Sequence, residues 1–133
     1  MRMFKAFLRG HKEVPPVRTI ALGRAAFRWN EAGSRLSFLL VVRNISRMTQ
    51  AHIHLGRRGE NGPVVAFLFG RSKFGISVRR GVVRGVLTNS DLTGPLEGRT
   101  LRDLVREIEN GNAYVNVHTI QHPNGEIRGQ IRT

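Results

Sequence analysis

The sequence predicts an all-β domain, an antiparallel Greek-key sandwich or flattened barrel, and three observations carry that prediction. Hydrophobicity recurs mostly every second residue, which places alternate side chains on opposite faces of a strand. Turn-forming residues, 15 glycines among them, punctuate the apolar runs. Only one stretch carries the longer helical period. At 133 residues the chain has the length of a single domain with its own core, spanning residues 1–133.

Taken in order, Phe4, Ala6 and Leu8 alternate with Lys5, Phe7 and Arg9 in a first strand. Glu13-Val14-Pro15-Pro16-Val17 then forms a stiff extended connection, because each proline fixes its own φ and restrains the residue before it. Thr19 to Trp29 and Arg35 to Asn44 form a hairpin around the turn Asn30-Glu31-Ala32-Gly33-Ser34. In the second arm Leu39 and Val41 are apolar as well as Leu36, Phe38, Leu40 and Val42, so its middle is covered on both faces. The strand Gln50-Ala51-His52-Ile53-His54-Leu55-Gly56 follows, then a polar loop over residues 57–63 and a short apolar strand from Val64 to Phe69. Residues 70–80 read as a basic loop or irregular edge, and Val82 to Leu87 as another strand.

The exception is a helix near residues 101–110. Thr100 is the N-cap, Asp103 stands where a capping-box acid belongs, and Leu101, Leu104, Val105 and Ile108 make an i, i+3, i+4, i+7 stripe. Gly111 stops it. The domain closes with a strand from Asn112 to Thr119, the turn Gln121-His122-Pro123-Asn124-Gly125, and a last strand from Glu126 to Arg132.

Composition removes several function classes. With no cysteine, disulfides, zinc–thiolate sites and thiol catalysis are all excluded. No apolar run approaches the roughly 20 residues that span a bilayer as a helix. The first nine residues carry charge at Arg2, Lys5 and Arg9 and so contain no signal-peptide core; the default expectation for the chain as given is cytoplasmic. The net charge of +13 comes from 22 basic and 9 acidic residues, and all but Lys5, Lys12 and Lys73 of the basic ones are arginines. Such a field attracts anionic polymers, and Arg57-Arg58 and Arg79-Arg80 are its paired cations. No nucleic-acid recognition motif and no run of stacking aromatics accompanies them.

The chemistry concentrates on His52 and His54. They share one face of a strand whose other face is Ala51, Ile53 and Leu55, and their backbones stand about 6.6 Å apart. A second strand repeats the pattern, with Ala113, Val115 and Val117 on one face and Tyr114, Asn116 and His118 on the other. If the two strands pair, His118 joins His52 and His54 on the face opposite the core. Three neutral imidazoles suit zinc or copper, with iron also compatible, and leave a coordination position open. Tyr114 and Asn116 then flank the site, or are ordinary polar groups on a strand surface. His11 and His122 fall in loops and read as solvent-exposed.

Three stretches together resemble the CHRD domain, the module repeated in chordin and found singly in bacterial proteins. They are Glu13-Val14-Pro15-Pro16-Val17 with Gly23; Ala51 to Gly56 with Gly59-Glu60-Asn61-Gly62-Pro63-Val64-Val65; and Gly111 to Thr119 leading into Asn124-Gly125-Glu126-Ile127-Arg128-Gly129-Gln130-Ile131. The resemblance spans Phe4 to Ile131. It implies a sandwich similar in plan to Cu/Zn superoxide dismutase, with His52, His54 and His118 on the family's histidine positions. It also implies that Glu126 and Arg128 belong to the closing Gly-Glu-Ile-Arg-Gly strand, where they are expected as a structural ion pair or a hydrogen-bonded edge. Family members are mostly exported.

The leading expectation is therefore a non-catalytic metal-binding module. The alternative is a basic interaction protein that holds an anionic polymer or a protein partner. A copper enzyme of the dismutase type is the third reading, and it lacks an acid beside the histidines.

Overall fold

A computed structural model describes residues 2–133. Among them are strands β1 (Arg2–Arg9), β2 (Leu22–Trp29), β3 (Leu36–Leu55), β4 (Val64–Gly70) and β5 (Ile76–Leu87), helix α1 (Leu101–Glu109), and strands β6 (Ala113–Thr119) and β7 (Ile127–Gln130). All strand pairings are antiparallel, and the order β2-β1-β7-β6-β3 closes on itself because β3 also pairs with β2. The result is a closed barrel, with β4 and β5 added on β3.

The sequence suggests two strands where β3 is one. Its first half, Leu36 to Arg43, pairs with β2 and β5, and its second half, Met48 to Leu55, pairs with β6 and β4. Between the halves the register breaks, and Asn44 and Arg47 take left-handed φ of 53° and 54°. A bulge of this kind bends a strand and increases its twist, so one strand serves both layers of the flattened barrel. The period-2 pattern stumbles at the bulge, which is why it reads as a break. Strand β5 likewise begins at Ile76, inside the stretch expected as a basic loop. Its ladder with β3 runs Met48↔Ile76 to Leu36↔Leu87, so backbone pairing rather than apolar alternation defines its first residues.

The two layers bury their inner faces against each other. Phe4, Ala6, Leu8, Phe27 and Leu40 from one layer share a core with Ala51, Ile53, Val115, Val117 and Ile127 from the other. Burying each of the larger side chains contributes about 1.5–3 kcal/mol. Helix α1 adds its stripe of Leu101, Leu104, Val105 and Ile108 to the same core. The expected start is in place: the Thr100 amide donates to Asp103 Oδ2 at 3.0 Å. Gly111, at φ 72°, takes the left-handed conformation that ends the helix.

Candidate metal centre

Strand pairing brings the histidines together as their alternation requires. In the β3–β6 ladder His52 stands opposite Asn116, His54 opposite Tyr114, and Gln50 opposite His118. All of these side chains leave the sheet on the side away from the core. That side is nevertheless buried: His52 is 4% exposed, and His54 and His118 are 7% exposed. The loop over residues 57–63, the segment around Glu13 and the β6–β7 turn cover it. Phe67 of β4 sets its ring edge-on to His52 at 4.4 Å.

Each imidazole is held by an oxygen through one nitrogen. His54 Nδ1 is 2.9 Å from Gly62 O, His118 Nδ1 is 2.8 Å from Pro123 O, and His52 Nε2 is 2.9 Å from Gln50 Oε1. These oxygens only accept, so each of those nitrogens carries the proton. The remaining nitrogens, His52 Nδ1, His54 Nε2 and His118 Nε2, therefore present lone pairs. His52 Nδ1 and His118 Nε2 face each other at 3.1 Å, and His54 Nε2 is buried with no partner. One ligand atom from each ring lies within 4.8 Å of the other two. Two lone pairs at hydrogen-bond distance repel, and an unpaired buried nitrogen costs about 1–3 kcal/mol. Desolvation holds the rings neutral: burial lowers His52 to about 3 and His54 to about 4, and also lowers His118. A cation among the three nitrogens would relieve both defects at once. The residues thus fit a metal ion that takes neutral imidazoles.

Around this cluster the expected site residues take distinct places. Tyr114 stacks flat on His54, with ring centroids 4.9 Å apart and planes 6° apart, and its hydroxyl accepts from the Gly62 amide at 3.1 Å. The Arg128 guanidinium lies 3.5 Å from the centre of the Tyr114 ring. Of the two arrangements expected for Glu126 and Arg128, an ion pair or a hydrogen-bonded edge, the structure has the second: each makes hydrogen bonds to other partners. Arg128 donates instead to Arg57 O at 2.9 Å, Glu60 O at 2.7 Å and Asn61 Oδ1 at 3.2 Å, tying down the loop that carries Gly62. Glu126 accepts from the hydroxyls of Thr19 at 2.7 Å and Thr119 at 2.8 Å, bracing the turn that carries Pro123. Each of the two residues thus holds the segment whose carbonyl orients one histidine. Asn116, opposite His52 in the ladder, donates its amide to Glu13 and to Ile127 O.

The paired cations lie on separate elements. Arg57 donates to Asn110 O from the covering loop, Arg58 lines a cavity of about 470 Å³ beside it, and Arg79 and Arg80 lie on β5. His11 lines that same cavity, and neither His11 nor His122 belongs to the histidine cluster.

Four contributors escape sequence reading. Gln50, Gly62 and Pro123 supply the oxygens, and Glu13 reaches the buried face from a distant segment. Gln50 alone had a legible signal, since it shares the alternating phase of His52. Gly62 is required for space, because a Cβ there would lie 1.6 Å from Leu55 O. Gly125 combines a φ of 121° with contacts that a Cβ would make to Asn116 and Glu13 at 2.6–2.7 Å. Burial raises Glu13 to about 7, against the opposing hydrogen bond from Asn116 and the charge of Arg128.

The family model for the CHRD domain matches residues 4–131, nearly the whole chain. No curated protein and no solved structure matches it. The strand carrying His52 and His54, the strand carrying His118 and the closing strand with Glu126 and Arg128 all lie inside that match, and the chain belongs to the CHRD-domain family.

Proposed function

We propose that this CHRD domain binds one transition-metal ion, copper or zinc, through His52 Nδ1, His54 Nε2 and His118 Nε2, and that it holds the ion without catalysing a reaction on it. The observation that carries this reading is the convergence of three lone pairs in a buried site where His54 Nε2 has no other partner. When bound, the ion would supply a Lewis-acidic centre with a free coordination position, or a one-electron couple if it is copper. The protein's own residues do the rest. Gly62 O, Pro123 O and Gln50 Oε1 keep the protons on the outward nitrogens. Tyr114 and Phe67 pack against the rings and restrict their rotation.

A dismutase with paired copper and zinc requires a bridging histidine and a carboxylate ligand. Among the described residues the cluster contains His52, His54 and His118 and no acid. Glu13 approaches only as far as Asn116, so holding an ion is favoured over copper–zinc catalysis.

The test is the metal content of protein purified without a histidine tag, by elemental analysis and by titration with Cu²⁺ and Zn²⁺. One ion per chain is expected, lost in His52→Ala/His54→Ala. Absence of stoichiometric uptake of any transition metal, or its retention by the double variant, overturns the assignment.

A further inference from the structure

The outer face of the other layer is uncovered, and its composition is unusual. The ladders β1–β2, β2–β3 and β3–β5 align its residues in four rows: Met3-Arg28-Ser37-Val86, Lys5-Ala26-Leu39-Arg84, Phe7-Arg24-Val41-Val82 and Arg9-Leu22-Arg43-Arg80. Every row holds at least one cation, and none of the four strands contains an acidic residue. All 9 acids of the chain lie elsewhere. Among the cations stand exposed apolar side chains: Met3 at 60%, Phe7 at 38%, Val82 at 42% and Val86 at 46%. Shallow cavities lined by Met3, Phe7, Leu39, Arg24 and Arg84 cross the same surface.

We propose that this face docks on a membrane surface rich in anionic, phosphate-bearing lipid headgroups. The charge selects the partner's sign. Arginine forks match phosphate oxygens, and four strands without one acidic side chain oppose contact with a second copy of the same face, since like charges would meet across the interface. The apolar residues select lipid over nucleic acid. Phe7 is the single ring among the exposed apolar side chains of these rows, too little for a platform on which successive bases stack; Met3, Val82 and Val86 offer none, and against a phosphate backbone they would stay hydrated. Against a bilayer they reach the boundary between headgroup and acyl chain, while the arginine stems lie along the apolar surface and their heads stay with the phosphates. The cations spread over four adjacent strands, two-dimensional as a headgroup layer is and unlike a single linear groove. Binding is peripheral and reversible, driven jointly by charge and by shallow insertion.

The experiment is co-sedimentation of the full chain with vesicles of phosphatidylcholine alone and of phosphatidylcholine mixed with phosphatidylglycerol, across a salt series, with duplex DNA as a competing polyanion. Binding only to the mixed vesicles is expected, weakening steeply with salt. Arg24→Glu/Arg84→Glu weakens it by at least about tenfold. Met3→Ser/Val86→Ser weakens vesicle binding several-fold and leaves any affinity for DNA unchanged. Circular dichroism melts and metal content of both variants are expected to match the parent, which separates this proposal from the histidine site. If the charge reversals impair folding, Arg24→Gln/Arg84→Gln gives the same comparison. Undetectable binding, equal binding to neutral vesicles, or tighter binding to DNA than to mixed vesicles overturns the proposal. So does an apolar variant that binds vesicles like the parent.

Discussion

On the outer face of β6, Tyr114, Asn116 and His118 are buried, whereas on the outer face of β1, Met3, Lys5, Phe7 and Arg9 are exposed. Both strands alternate, and both turn their opposite faces into the same core. The difference lies in what crosses above them. Over β6 and the second half of β3 run the loop 57–63, anchored by Arg128, and the turn braced by Glu126. Over β1, β2 and the first half of β3 none of these segments passes. Covering a polar strand face removes water from its side chains, so each one needs a protein partner. That requirement joins His52, His54, His118, Tyr114 and Arg128 into a connected buried assembly, whereas the side chains of the uncovered face form a solvated, charged surface.

The contrast can be broken most severely at Arg128. Arg128→Ala strips the partners from Arg57 O and Glu60 O, and it empties the space above Tyr114. A loss of about 3 kcal/mol is expected in urea unfolding, with metal affinity falling as well. A cost under about 1 kcal/mol would show that the cover does not depend on this residue.

Gly62→Ala tests the same cover from its backbone. The new Cβ has no room beside Leu55 O, so the loop must shift and carry the carbonyl away from His54. Destabilisation by about 1–3 kcal/mol and metal affinity lower by about 10–100-fold are expected, measured by thermal melting and metal titration. Unchanged affinity would mean that the Gly62 carbonyl does not orient the ring.

Acid should act on the covered face alone. In the unfolded chain the histidines take protons near 6.5, but in the fold burial delays this to about 3 for His52 and about 4 for His54. The unfolded state then binds more protons below pH 6.5, and the metal-free protein loses stability as pH falls toward 4, by about 1.4 kcal/mol per unit for each such histidine. Glu13 opposes this between about 7 and 4.5, because its raised value makes the folded state take the proton first. A single carboxyl offsets only part of the loss from two or more rings. Melting temperatures from pH 7 to 4.5 should therefore drop in the parent and drop less in His52→Ala/His54→Ala. Parallel curves would contradict the burial of neutral rings.

The smallest effect is expected on the uncovered face. Arg28→Gln should change unfolding free energy by no more than about 0.5 kcal/mol, since Arg28 is solvent-exposed on β2. A larger cost would show that this face also carries structural contacts.

Alternation by itself determined a great deal. It assigned most of the strands, the inward set Ala51, Ile53, Val115 and Val117, and the common face of His52, His54 and His118, while the one stretch of helical period and its capping residues assigned the helix after Thr100. These are consequences of period and local chemistry, which operate within a few residues of one another. Tertiary structure decided what period cannot express. The bulge at Asn44 and Arg47 made two strand patterns into one bent β3. Loops distant in sequence brought Gly62 O and Pro123 O onto the histidines and made a polar face a buried one. Alternation states only that two faces differ. Whether a polar face meets water or a second layer of chain depends on where the loops return, and that is set by contacts between residues far apart in the sequence, such as Arg128 with Glu60 and Glu126 with Thr19.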